Sequence, residues 1–150
     1  MYRRILVPVD GSITSNLGLS EAIRLARSLK AKLRLVHVCD ELIVDPNYEG
    51  GLYAGEMQQA LRDAGRHILE KAKAAVTRRG LKPETVMVET LGGHTSEHIV
   101  KQARKWRADL IVIGTHGRRG ARRLVMGSDA EEVVRTSPAP VLLVRSPGKL

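Results

Sequence analysis

The chain has 150 residues, 43% of them apolar, which suits a single folded domain spanning 1–150 and excludes a disordered or fibrous chain. Cys39 is the one cysteine, so an internal disulfide framework and a cysteine-rich zinc site are excluded. The net charge of +9 favours anionic partners (nucleotide phosphates, nucleic acid, an acidic membrane surface) without choosing among them.

The predicted elements alternate from end to end. Arg4–Val9 is a short β-branched run that stops at the turn-forming cluster Asp10-Gly11-Ser12. Leu19, Ala22, Ile23, Leu25, Ala26 and Leu29 recur at helical spacing and predict a helix over Ser15–Lys30. Lys32–Val38 follows as a second strand, and Cys39–Tyr53, rich in Asp, Pro, Asn and Gly, as a long surface loop. A helix is predicted over Gly55–Arg79, closed by Gly80 with Pro83 beyond it. Next come a strand at Thr85–Glu89, a turn at Gly92-Gly93, a helix over Thr95–Trp106 and a strand at Asp109–Gly114. A loop rich in glycine and arginine leads to a helix over Ser128–Arg135 and a last strand at Val141–Val144. Strand and helix in strict succession need parallel crossovers. The fold class is therefore α/β, a doubly wound five-stranded parallel sheet with helices on both faces.

The opening Met1–Pro8 carries two arginines and only a short apolar run. That run is too short for a leader's apolar core or a membrane span, and predicts a cytoplasmic protein.

In such sheets ligands bind beyond the carboxyl ends of the strands, where the strand order reverses. Two segments fall there: Pro8-Val9-Asp10-Gly11-Ser12, and Gly114-Thr115-His116-Gly117 leading on to Gly127-Ser128. Without a Cβ, Gly114 and Gly117 allow close approach of backbone N–H groups to an anion and positive φ. Gly127-Ser128 opens a helix whose unpaired N–H groups and dipole attract phosphate, with Ser128 as an extra donor or as N-cap. Arg118, Arg119, Arg122 and Arg123 add positive charge to the loop. The alternative is a glycine-rich turn with solvated arginines, and the pattern GxxxxGK[ST] of P-loop proteins is absent.

The spacing Gly114-x2-Gly117-x9-Gly127-Ser128 resembles the ATP-binding signature of the universal stress protein family. Ile5–Ser12, Leu35–Val38, Ala108–Gly114 and Pro140–Val144 are similar to that family's first, second, fourth and last strands. The resemblance implies adenine and ribose near Pro8, Val9, Asp10 and Val38, and phosphates at Gly114, Gly117, Gly127 and Ser128. It further implies ATP as ligand, with Mg²⁺ where a metal accompanies it, and a homodimer paired along Val141, Leu142, Leu143 and Val144. An apolar edge strand invites such a partner on physical grounds as well.

Other residues admit two readings each. Asp10 is a carboxylate for ribose or phosphate-bound Mg²⁺, or the cap of the next turn. His116 touches a phosphate or assists slow hydrolysis, or contributes only its backbone. Asp129 weakens triphosphate binding, helps hold a metal, or complements the helix dipole. His94-Thr95-Ser96-Glu97-His98 matches HxxEH, a zinc-protease spacing, but also suits an exposed helix start. Cys39 is read as a structural thiol and His37 as a packed histidine. The function expected is an ATP-holding regulatory protein whose occupancy alters its dimer or a partner surface, with weak ATP hydrolysis or nucleic-acid binding as alternatives. Nucleic acid ranks last because there is no recognition-helix signature and aromatic residues make up only 3%.

Overall fold

The computed structural model describes residues 1–40, 51–116 and 126–147, the side chains of 51–54 excepted. Five strands alternate with four helices: β1 (Arg4–Pro8), α1 (Ile13–Leu29), β2 (Lys32–Asp40), α2 (Gly51–Arg78), β3 (Glu84–Thr90), α3 (Thr95–Trp106), β4 (Leu110–Gly114), α4 (Ser128–Thr136) and β5 (Val141–Val144). All pairings are parallel and the strand order is β3-β2-β1-β4-β5. The order reverses between β1 and β4, the position where a doubly wound sheet opens a crevice.

The alternation of side chains along each strand builds two cores. Ile5, Val7, Leu33, Leu35, Leu110 and Val112 meet the apolar stripes of α1 and α2 on one face. Leu6, Val36, Ile111 and Ile113 meet Ile99, Val100 and Ala103 of α3 and Ala130 and Val133 of α4 on the other. Strands covered on both sides read as continuous apolar runs, which is why β1 and β4 are legible in the sequence.

Helix boundaries follow their caps. Helix α1 starts at Ile13, two residues before the predicted Ser15, because the Ser12 hydroxyl accepts the Ser15 N–H at 3.2 Å. It ends on Lys30 in the left-handed conformation (φ 54°), so one further residue, Ala31, suffices to enter β2. The predicted loop from Cys39 to Tyr53 is corrected at both ends. Cys39 and Asp40 extend β2, paired with Glu89 and Thr90 of β3, and Gly51–Tyr53 belong to α2. The rest of that loop lies outside the described residues.

The amino end of the sheet is closed by a dense polar knot. Trp106, 7% exposed, lies beneath the guanidinium groups of Arg34 and Arg4, at 4.8 and 5.9 Å from the ring centre. Arg4 Nη1 donates to the Trp106 carbonyl at 2.8 Å. The Asp109 carboxylate accepts the backbone N–H groups of Arg3 and Arg4 at 2.8 and 2.9 Å. Arg34 is paired with Glu84, its neighbour across the β2–β3 ladder. The hydrogen bond from Arg34 and its charge hold the Glu84 carboxyl below the usual carboxylate range, against the opposing effect of burial.

Candidate functional site

The opposite, carboxyl end of the sheet is open. A cleft of about 890 Å³ lies over the ends of β1, β2 and β4, within the range of roughly 300–1,000 Å³ typical of small-molecule sites. Its floor is Pro8-Val9-Asp10, Val36–Asp40 and Ile113–His116, and α2 roofs one side with Leu61, Ala64, Gly65 and Ile68. The starts of α3 (Gly93, His94, Thr95) and α4 (Gly127, Ser128, Asp129) complete the wall.

The β1 turn is rigidly made. Gly11 has φ 80°, a left-handed turn residue. The Asp10 Oδ1 accepts the Ser12 N–H at 2.8 Å, and the Ser15 hydroxyl accepts the Asp10 N–H at 3.1 Å. Asp10 is therefore tied to the turn, as the capping reading has it, and also lines the cleft. Behind it, the buried His37 ring donates from Nδ1 to the Val9 carbonyl at 2.8 Å, since that carbonyl can only accept. Gly65 of α2 makes room for this ring: a Cβ there would sit 2.8 Å from His37 Cδ2.

The second segment differs from expectation in two respects. Gly114 is not among the described glycines with positive φ. Its missing Cβ serves packing instead, because a Cβ would fall 2.6 Å from the Thr14 carbonyl carbon and 2.9 Å from the Ser15 nitrogen. The first turn of α1 thus lies directly on the end of β4, and the Thr14 hydroxyl donates to the His116 carbonyl. Ser128 is likewise not the N-cap of α4. Gly127 holds that position (φ −59°, ψ 148°), and among the described residues no side chain caps the first N–H groups of α4. The Gly127 N–H donates to the Thr115 carbonyl at 2.6 Å, and the Thr115 N–H to Val144 at 2.9 Å. This bends the chain so that α4 starts beside β4. The Thr115 hydroxyl is buried with no hydrogen-bond partner among the described residues.

Of the residues predicted to bind, Pro8, Val9, Asp10, Val38, Gly114, His116, Gly127 and Ser128 line this one cleft. Gly117 and Arg118, with Arg119, Arg122 and Arg123, lie outside the described residues. Sequence reasoning missed Thr115, Met126 and the start of α3. Thr115 stood inside the glycine segment and Met126 beside its last glycine, whereas nothing local ties Gly93–Thr95 to them. In the HxxEH segment, His94 is the N-cap of α3 and the His98 ring bonds the Gly92 carbonyl at 3.1 Å. Both histidines thus belong to the helix start. Among the described residues, no three His, Cys, Asp or Glu side chains gather as a metal site.

The sequence model of the universal stress protein family matches residues 1–145. The chain belongs to the universal stress protein family. It is 35% identical to a universal stress protein of Methanocaldococcus jannaschii over 99% of this chain and 85% of that one. A solved universal stress protein family member from Burkholderia pseudomallei superposes with a TM-score of 0.77 at 34% identity, covering 97% of each chain. A family protein from Arabidopsis thaliana, solved with AMP bound, is 19% identical with a TM-score of 0.70, over 97% of this chain and 93% of that one. At that identity the last likeness is one of fold. No described helix is long and apolar enough to cross a membrane.

Proposed function

We propose that this universal stress protein binds ATP in the carboxyl-end cleft and acts as a cytoplasmic regulatory module of one domain, residues 1–150. The observation that carries the reading is the uncapped start of α4, set across the cleft from the Pro8-Val9-Asp10 turn. A helix start with unpaired N–H groups suits a phosphate chain. The buried Thr115 hydroxyl, with no partner among the described residues, supplies another donor. Val9 and Val38 give an aliphatic bed for a purine, and Asp10 is placed for a ribose hydroxyl or a phosphate-bound Mg²⁺. Gly114, Gly127 and Ser128 set the path of the phosphate-binding segment, to which Gly117 and Arg118 belong in sequence.

Homodimerisation is proposed along β5, an edge strand whose four residues are each half-buried. Occupancy of the cleft reaches that edge through the Thr115 N–H bond to the Val144 carbonyl. Sedimentation velocity with and without nucleotide reads this coupling.

Calorimetric titration of nucleotide-stripped protein with Mg-ATP tests the binding. Micromolar affinity, lowered at least about tenfold by Gly117→Val, is expected, since a β-branched side chain obstructs a backbone–phosphate approach. No heat of binding in the parent protein, or equal affinity in the variant, overturns the reading.

A further inference from the structure

We propose that the amino end of the sheet, opposite the cleft, is a face that binds the phosphate backbone of nucleic acid without reading sequence. Parallel topology brings every turn that precedes a strand to this end. Arg3 and Arg4 stand at the start of β1, Lys30 and Lys32 at β2. Arg78, Arg79 and Lys82 lead into β3, and Arg104, Lys105 and Arg107 into β4. All of these residues are exposed, Arg4 while its guanidinium is also held by the Trp106 carbonyl. The turns are in contact: the Lys32 N–H donates to the Arg3 carbonyl at 2.8 Å and the Asp109 N–H to the Arg4 carbonyl at 3.0 Å.

The acidic groups at these strand starts are already committed. Asp109 accepts the Arg3 and Arg4 amides, and Glu84 is paired with the partly buried Arg34. The helix dipoles do not cancel the remainder. The carboxyl ends of α1, α2 and α3 point here with roughly half a negative charge each, far less than the cations they meet. The charge forms a row across four adjacent strands, β3-β2-β1-β4, about 4.8 Å apart. A row of cations matches a linear polyanion.

A bilayer is the poorer fit. The exposed apolar side chains Ile13, Met57, Leu61 and Leu91 lie toward the cleft end, leaving Met1, Tyr2 and, in the last turn of α4, Val134 at this one. The lack of a recognition helix, which set nucleic acid last on sequence grounds, removes base readout but not backbone binding.

Fluorescence anisotropy with a labelled random-sequence DNA duplex of about 20 base pairs tests the face. Four or more phosphate contacts predict an affinity loss on the order of 100-fold between about 50 and 200 mM salt. The variant Arg79→Gln/Lys82→Gln/Arg104→Gln/Lys105→Gln is expected to lose at least about tenfold in affinity and to flatten the salt slope. Arg24→Gln/Arg66→Gln, which removes charge from the flanks of α1 and α2, is expected to change it less than about twofold. Arg79→Gln/Lys82→Gln alone gives an intermediate loss should the quadruple variant fold poorly by circular dichroism. Four outcomes overturn the proposal: no binding to the duplex, equal losses in the amino-end and flank variants, displacement of the duplex by stoichiometric Mg-ATP, or stronger capture by phosphatidylserine vesicles than by DNA.

Discussion

The two ends of the sheet are built on opposite principles. At the amino end, Trp106, Arg34, Glu84, Arg4 and Asp109 satisfy one another and seal the sheet. At the carboxyl end, among the described residues, the starts of α3 and α4 have no side-chain cap bond and the Thr115 hydroxyl no partner, and about 890 Å³ stays open. An unmade hydrogen bond on a buried group costs of order 1–3 kcal/mol. The amino end is thus the more tightly tied of the two, while the carboxyl end holds the open cleft.

Substitutions at each end sharpen or break that contrast. Trp106→Ala should have the largest effect, a loss of about 3–5 kcal/mol in denaturant unfolding from the cavity left by a buried indole. Gly114→Ala should cost about 1–3 kcal/mol, because its Cβ meets the Thr14 carbonyl and helix and strand must part. If it instead leaves stability intact and abolishes nucleotide binding alone, Gly114 serves the ligand and the packing account fails.

Thr115→Val should act in two directions. Free-protein stability rises by up to about 1 kcal/mol as the orphan hydroxyl is replaced by an isosteric methyl, while calorimetric ATP affinity falls severalfold. A destabilised variant with unchanged affinity would show that the hydroxyl has a structural partner.

The smallest effect belongs to pH. The Glu84 carboxyl titrates lower in the folded chain than in the unfolded one, so below the usual carboxylate range the unfolded state binds more protons. The Arg34–Glu84 pair therefore stabilises at neutral pH, and its contribution fades as pH falls through the lowered folded value. Glu84→Gln should show a reduced stability that converges with the parent protein in acid, the gap being modest because the Glu84 side chain is 47% exposed. A gap that persists in acid would assign the loss to packing.

Legible in the sequence were the order and type of the elements and the pairing of a polar turn after β1 with a glycine segment after β4. Those features are local, carried by apolar period and by turn residues within a few positions. It did not determine what each glycine is for. The need for Gly114 comes from Thr14 and Ser15, and that for Gly65 from His37, contacts across long stretches of chain. Nor did it bring the start of α3 to the cleft, or gather the basic turns at residues 3–4, 30–32, 78–82 and 104–107 into one row. Parallel crossovers decided both, because they send every strand's end to one side of the sheet and every strand's start to the other.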